Sequence, residues 1–205
     1  MNQIKSDIFR GIVVALKANF LIVEIDYQDS RESCIDQLPR KSRLLCTRRS
    51  KLAYQGFFID VGDNVFVEGI DYINKRAVIS NVEPRKSFLK RPAVANVTLI
   101  AICISVEDPL FDTEQTSRFL ITAESANIKP LIILTKIDLI SINDLNLLIN
   151  KSKLWGYESL AVSIKNAQGI DLLIERFKQT KLTVLAGPSG VGKTSLINHL
   201  IPSLS

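Results

Sequence analysis

The chain has 205 residues, of which 46% are hydrophobic and 23% charged, and its formal net charge is +5. This composition is typical of an ordinary folded globular protein and excludes disordered and collagen-like chains. Three cysteines with no CxxC pair and no nearby histidine encode neither a disulfide framework nor a zinc site. The amino-terminal segment lacks the apolar core of a signal peptide, and no apolar run is long enough to span a bilayer. We therefore expect a cytoplasmic protein with no membrane partner.

The first 83 residues have the pattern of a small β-barrel. Short stretches that alternate between apolar and polar residues, or are apolar throughout, predict strands over residues 12–16, 20–25, 43–47, 64–68 and 77–82. An OB-like barrel that binds nucleic acid is the natural candidate, although periodicity alone leaves an SH3-like barrel open. Prolines at positions 84 and 92 enclose a basic segment and indicate a linker over residues 84–92.

All of the net charge lies in the first 92 residues, which hold 16 Lys and Arg against 11 Asp and Glu, whereas the remainder holds 10 of each. No acidic residue occurs between positions 36 and 60. Such a basic cluster suits a polyanion, and a solvated loop is an equally common explanation. The candidate RNA-binding residues, hereafter the basic cluster, are Arg40, Lys41, Arg43, Arg48, Arg49 and Lys51. Nearby Tyr54, Phe57 and Phe58 could stack on bases, but aromatic residues more often belong to a core.

After residue 92 the pattern changes to apolar strands that alternate with helices. The predicted strands cover residues 97–106, 131–134, 160–163 and 182–186, and the predicted helices cover residues 113–126, 144–155 and 170–178. Continuous apolar strands separated by helices imply a parallel sheet covered on both faces, which binds ligands at the carboxyl ends of its strands. We therefore predict an α/β domain over residues 93–205 with its functional motifs directly after the strands.

The segment GPSGVGKT follows the predicted strand 182–186 and fits the phosphate-loop pattern GxxxxGK[ST]. Glycines there let backbone N–H groups turn toward phosphates at the positive end of the next helix. Lys193 would reach the β- and γ-phosphates, and the Thr194 hydroxyl would ligate Mg²⁺. The alternative is a Gly-rich turn without a ligand. The predicted phosphate-binding residues are Gly187, Pro188, Ser189, Gly190, Val191, Gly192, Lys193, Thr194 and Ser195.

Two short motifs, TKID and SIKN, follow the two preceding strands. The carboxylate of Asp138 can accept hydrogen bonds from N1–H and the 2-amino group of guanine, and the stem of Lys136 can cover the base. Thr135 stands where asparagine is more usual, which removes an amide donor that would tie this loop to the phosphate loop. SIKN resembles the SAK loop that presents a backbone N–H to guanine O6, although either motif alone could be an ordinary polar loop. The predicted guanine-binding residues are Thr135, Lys136, Asp138, Ser163, Ile164 and Lys165.

The motifs run in the order TKID, SIKN, GPSGVGKT, whereas ordinary small GTPases begin with the phosphate loop, so the order is circularly permuted. With VGD at 61–63, PRKSFLKRP at 84–92, Ala-Asn-Val at 95–97 and SRFL at 117–120, this order resembles the ribosome small subunit-dependent GTPase A family, RsgA, also called YjeQ. The resemblance implies an OB-fold domain, a permuted GTPase domain and a small zinc-binding domain. It also implies Mg²⁺-dependent GTP hydrolysis in late maturation of the 30S ribosomal subunit. The implied partners are that subunit, its rRNA and guanine nucleotide, and we expect a monomer.

The chain ends 11 residues after Thr194, and the family would place its DxxG loop, switch regions and zinc ligands beyond Ser205. No aspartate of the chain begins a DxxG motif. We therefore interpret the sequence as an N-terminal fragment or a truncated product, and we assign no catalytic residue; the lone His199 is interpreted as a helix-surface residue. Two alternatives remain: a catalytically weak RNA-binding module, and a nucleoside monophosphate kinase, whose similar phosphate loop begins the chain and needs a much longer segment after it.

Overall fold

The computed structural model describes residues 8–26, 41–54, 56 and 58–202. The chain divides into two compact units, with the boundary between Asn96 and Val97.

The first unit is a closed barrel of five strands, which are β1 (Phe9–Lys17), β2 (Phe20–Asp26), β3 (Lys41–Arg48), β4 (Asn64–Asp71) and β5 (Arg76–Val82). Around the barrel the order is β1-β2-β3-β5-β4, and β4 closes on β1. All pairs are antiparallel except β3 with β5. A short helix, α1 (Ser50–Tyr54), lies between β3 and β4. This arrangement is that of an OB-fold, so the predicted OB-like barrel is confirmed and the SH3-like alternative is excluded.

The barrel core explains the apolar alternation of the first strands. In β1 the side chains of Phe9 and Val13 point inward and are buried. Gly11 lies between them, where a Cβ atom would come within 2.5 Å of a methyl carbon of Val23 on β2. Aliphatic side chains from every strand fill the interior, including Val23, Ile25, Leu44, Val65, Val67 and Ile79. Close packing of this kind leaves space only for hydrogen at position 11.

Residues 84–96 belong to the barrel unit and contain regular structure. Strands β6 (Phe88–Lys90) and β7 (Ala93–Ala95) form an antiparallel hairpin. The Ala95 N–H donates to the Val61 carbonyl at 2.8 Å, and Val94 makes a parallel bridge to Val61. The segment predicted as a linker over residues 84–92 therefore includes a strand that is attached to the barrel through its hairpin partner.

The second unit is a four-stranded parallel sheet with the spatial order β10-β9-β8-β11. Its strands are β8 (Leu99–Ser105), β9 (Lys129–Thr135), β10 (Ser159–Val162) and β11 (Thr183–Ala186). Its helices are α2 (Thr113–Ser125), α3 (Ile142–Leu154), α4 (Ile170–Lys178) and α5 (Lys193–Leu200). Every residue of β8 is buried, as expected for a strand covered on both faces. The predicted α/β class is confirmed, and the strands and helices predicted for this unit agree with the observed ones to within two residues at each end.

Side chains at the helix starts explain where α2 and α3 begin. The Asp112 carboxylate accepts hydrogen bonds from the N–H groups of Glu114 and Gln115, and the Ser141 hydroxyl accepts from that of Asp144. These contacts satisfy donors that have no acceptor within the helix. No helix within the described ranges is long and apolar enough to cross a membrane.

Candidate nucleotide-binding site

The phosphate loop connects β11 to α5 by a sharp turn that requires glycine. Gly187, Gly190 and Gly192 have φ angles of +134°, +84° and +92°, a region that glycine reaches readily and other residues rarely adopt. At Gly187 there is also no space for a side chain, because a Cβ atom would lie 2.1 Å from the carbonyl oxygen of Cys103 on β8. The backbone path therefore follows the strand, turn and helix context that the motif predicts.

Lys193 is the first residue of α5, and its ammonium group lies within the phosphate loop. The Nζ atom donates to the carbonyl of Gly187 at 2.9 Å and to that of Pro188.

Burial raises the pKa of the nearby Cys103 thiol to about 12 despite the opposing charge of Lys193, so this thiol is neutral and acts as an apolar core residue. Thr194 is exposed in the first turn of α5, beside the lysine and at the positive end of the helix dipole. These features together favour an anionic ligand that also carries a metal ion.

Thr135 joins the TKID loop to the phosphate loop. Its hydroxyl is buried at the end of β9 and donates to the Val191 carbonyl at 2.7 Å, with the Ile104 carbonyl 3.3 Å away. An asparagine in this position would provide an amide donor, and here the threonine hydroxyl donates to the Val191 carbonyl in its place. The connection between the two loops is therefore present although the usual asparagine is absent.

Asp138 and Ser163 connect the TKID and SIKN loops. The Ser163 hydroxyl donates to Asp138 Oδ1 at 2.5 Å, and Ser163 is itself fully buried. This hydrogen bond is the main cause that lowers the pKa of Asp138 below its ordinary value, and the charge of Lys165 also contributes. Asp138 is exposed, so it presents an ionised carboxylate in a defined orientation.

The SIKN loop is a tight turn between β10 and α4. The N–H of Ser163 donates to the Gln168 carbonyl at 2.9 Å, and the turn contains an Ala167 N–H bond to the Ile164 carbonyl at 3.4 Å. Ile164 packs partly against the core of the sheet. The turn ends at Gly169, where a Cβ atom would lie 2.0 Å from a carbonyl of β10.

The loop after β8 also reaches this edge of the sheet, and the sequence motifs missed it. Lys136 has a left-handed backbone, and its Nζ atom donates to the Asp108 carbonyl and lies 4.0 Å from Asp108 Oδ2. Pro109 lies beside Gly190, with its Cδ atom 3.7 Å from the position of a Cβ atom there. The available signal was the position of Glu107-Asp108-Pro109 directly after an apolar strand, the same rule that located the other loops.

The described part of the chain holds no cluster of three or more His, Cys, Asp or Glu side chains that could bind a metal ion. Thr194, which the sequence predicts to bind Mg²⁺, is exposed in the first turn of α5.

The described part of the basic cluster lies along β3 and α1, and it includes Arg43 and Arg49, which form ion pairs with acids. Arg43 Nε donates to Glu24 Oε2 at 3.2 Å across the β2–β3 pair, and Arg49 forms an ion pair with Glu68 on β4. These carboxylates reduce the positive charge that the cluster presents.

The remaining members differ in position. Arg48, the last residue of β3, and Lys51, in the first turn of α1, are exposed. Lys41 begins β3, and Arg40 lies outside the described residues.

Two of the three aromatic residues next to the basic cluster, Tyr54 and Phe58, do not belong to the core, contrary to the preferred interpretation of the sequence. The side chains of Tyr54 and Phe58 are 91% and 83% exposed, and Phe57 lies outside the described residues. Leu52 and Ile59, in the same connection between β3 and β4, are buried in the barrel core.

Arg85 makes a buried contact that the sequence motifs did not identify. Its Nε and Nη2 atoms donate to the two carboxylate oxygens of Asp63 at 2.8 Å each, and Nη2 also donates to Asp60 and to the Phe58 carbonyl at 2.8 Å. The guanidinium lies 4.3 Å from the centre of the Phe88 ring. The hydrogen bonds to Asp63 are the main cause that raises the pKa of Arg85.

Comparison with known proteins gives consistent matches. The model of the RsgA GTPase family matches residues 82–205. A protein of Prochlorococcus marinus strain NATL2A, named small ribosomal subunit biogenesis GTPase RsgA, is 73% identical over 205 residues, all of this chain and 66% of the relative. A protein of the same name from Parasynechococcus marenigrum strain WH8102 is 48% identical over 197 residues, covering 95% of this chain and 62% of the relative. The chain thus spans somewhat less than two-thirds of the length of these relatives.

Two solved structures have the same fold as this chain. YjeQ from Thermotoga maritima superposes with a TM-score of 0.82 and 32% identity, covering 97% of this chain and 67% of that one. YloQ, described as a circularly permuted GTPase, superposes with a TM-score of 0.78 and 26% identity, covering 99% and 68%.

Proposed function

Because the chain belongs to the RsgA GTPase family, we propose that it binds GTP with Mg²⁺ through its second unit and ribosomal RNA through its barrel. Its cellular role is GTP hydrolysis coupled to late maturation of the 30S ribosomal subunit, in the cytoplasm and as a monomer. The names of its relatives support the GTPase activity and the ribosomal role.

The observation that carries the nucleotide assignment is the pair of hydrogen bonds between loops. Thr135 bonds to Val191 across 56 residues of sequence, and Ser163 bonds to Asp138 across 25. A glycine-rich turn without a ligand needs neither contact. The loops that follow β9, β10 and β11 are thereby held together, as a single ligand that contacts all three would require.

Guanine selectivity follows from the carboxylate of Asp138. An ionised carboxylate accepts from both N1–H and the 2-amino group of guanine, whereas adenine has an acceptor at N1 and no 2-amino group. The Ser163 hydroxyl occupies one lone pair of Oδ1 and orients the group. The backbone N–H groups of Ile164 and Lys165 are assigned to guanine O6, and the Lys136 stem to the face of the base.

The phosphates are assigned to the loop over residues 187–195. Lys193 neutralises the β- and γ-phosphates, and glycines in the positive φ region direct backbone N–H groups toward them. The exposed Thr194 hydroxyl fits Mg²⁺, because this ion binds through few protein ligands together with substrate phosphates and water. When bound, the ion supplies neutralisation of the charge that develops during phosphoryl transfer. The described residues do not fit zinc, since they contain no ligand cluster.

A titration with fluorescent GDP tests the nucleotide assignment. We expect GTP to compete and ATP not to compete, and Lys193→Ala to weaken binding of every nucleotide. Asp138→Asn should lose guanine preference and gain affinity for xanthine nucleotide, because an amide N–H can donate to the 2-oxo group of xanthine. Equal competition by ATP, or unchanged guanine preference in Asp138→Asn, would refute the assignment. Phosphoryl transfer from ATP to GMP would indicate a kinase instead.

Sedimentation with purified 30S subunits at increasing salt tests the RNA assignment. Each lost phosphate contact should reduce the slope of log K against log salt by about 0.7–0.9. The double variant Arg48→Glu, Lys51→Glu should bind weakly with a reduced slope, and Lys153→Glu in the second unit is the matched control. Binding that is insensitive to salt would contradict an RNA contact by the basic cluster.

A further inference from the structure

We propose that Tyr54 and Phe58 form a stacking surface for unpaired RNA bases beside the basic cluster. This inference rests on the proposed RNA binding by the barrel and adds the class of RNA, which is single-stranded.

The exposure of the two rings is the first observation. Tyr54 ends α1, Phe58 follows four residues later, and both rings are more than four-fifths exposed. Because neither ring is buried, neither contributes the stabilisation that burial of an aromatic side chain normally gives to a fold. The two side chains lie on the same connection between β3 and β4, and exposed aromatic rings of this kind are the groups on which unpaired bases stack.

The second observation is that the backbone on both sides of this surface is anchored. Leu52 attaches α1 to the barrel core, and the Phe58 carbonyl accepts a hydrogen bond from Arg85 at 2.8 Å. Arg85 is in turn held by the fully buried Asp63. A fixed backbone lowers the entropy lost when a ring orders against a ligand.

The positive charge near the two rings favours nucleic acid as the ligand of this surface. Arg48 and Lys51 are exposed on the same connection, and no acidic residue occurs between positions 36 and 60. Glu68 and Asp60, which the fold brings to this connection, are paired with Arg49 and Arg85. Exposed basic and aromatic side chains complement a nucleic-acid strand, whose phosphates are anionic and whose bases each have a π face. In a duplex the bases are already stacked within the helix, so the rings distinguish single strands from duplex.

Fluorescence anisotropy of the 205-residue chain with a labelled ten-nucleotide RNA, free or annealed to its complement, tests the proposal. Tyr54→Ala and Phe58→Ala should each weaken binding of the single strand about tenfold and leave duplex binding unchanged. Tyr54→Phe keeps the ring and should bind as the parent does, and Leu154→Ala, an exposed apolar residue of the second unit, is the control. A 2-aminopurine base in the strand should be quenched by the parent and less by the alanine variants.

The failure of this inference is distinguishable from failure of the proposed RNA binding. Arg48→Glu with Lys51→Glu should weaken both single strand and duplex, because both carry phosphates. If that variant weakens both while Tyr54→Ala and Phe58→Ala bind the single strand normally, stacking is refuted and phosphate binding stands. If the parent chain binds neither RNA, both proposals are overturned. Alanine variants that lose single strand and duplex equally also refute the stacking role.

Discussion

Replacing Arg85 by alanine should destabilise the barrel far more than replacing an exposed arginine. Arg85 donates to both carboxylate oxygens of Asp63, which has no solvent exposure, and also to Asp60 and the Phe58 carbonyl. Its removal leaves a buried carboxylate without its cation. Within the part of the chain that the structure describes, the Asp60 N–H also donates to Asp63, at 2.8 Å.

The magnitude follows from burial. Breaking a buried ion pair by removing one partner costs about 3–5 kcal/mol, because the other charge stays desolvated. The matched control is Arg10→Ala, which removes an exposed pair with Glu83 on the same barrel and should cost at most about 1 kcal/mol. Arg85→Lys keeps the charge but loses the bidentate contact with Asp63, so the stability that it loses should lie between those lost in Arg10→Ala and Arg85→Ala.

Amide hydrogen exchange read by mass spectrometry measures the effect for each unit. The Val13 N–H, which bonds to the Asp63 carbonyl, and the Ala95 N–H, which bonds to Val61, report on the barrel. In Arg85→Ala their exchange should accelerate by roughly two to four powers of ten, while peptides from β8 and β9 keep their protection. Equal protection in Arg85→Ala and Arg10→Ala would refute the reasoning, since it would mean that the buried carboxylate needs no cation.

Three further predictions concern the nucleotide site, each measured by GDP affinity. Ser163→Ala should raise the pKa of Asp138 toward its ordinary range, so that guanine affinity, which needs the carboxylate, begins to fall at a higher pH on acidification than in the parent; identical pH profiles would contradict this. Thr135→Val leaves the buried Val191 carbonyl without its donor and should cost about 1–3 kcal/mol in binding or stability, whereas Thr135→Asn should retain most of the affinity. Gly187→Ala should abolish GDP binding, because its Cβ would overlap a β8 carbonyl; near-normal affinity would show that the loop can relax.

The phosphate loop could be predicted residue by residue because its backbone geometry restricts which residues are possible. Three positions of the loop have positive φ angles, which favour glycine, and α5 begins at Lys193, directly after the last of them. The parallel sheet could be predicted as well, because continuous apolar strands alternate with helices in the sequence. Both patterns are local, and each depends on residues close together in the chain.

Contacts between distant residues could not be predicted in this way. The sequence shows that Thr135 is not asparagine, but only the fold shows that its hydroxyl meets Val191. Counting charges overstated the basic cluster, because Glu24 on β2 and Glu68 on β4 form ion pairs with Arg43 and Arg49. The prolines of residues 84–92 suggested a linker. The hydrogen bond from the hairpin to Val61 joins residues that are far apart in the chain, so amino-acid composition could not reveal it.

The position of β11 beside β8 determines when the site can form during synthesis. β11 pairs with β8 across 84 residues of sequence, at Leu99 and Thr183. The barrel needs only residues up to 96, so it can fold early on the growing chain. Strands β8, β9 and β10 can pair in chain order as they are synthesised. The phosphate loop can form only after β11, which precedes it, has been synthesised and has paired with β8. We therefore expect that a nascent chain folds its barrel, the proposed RNA-binding unit, well before the proposed nucleotide site can form.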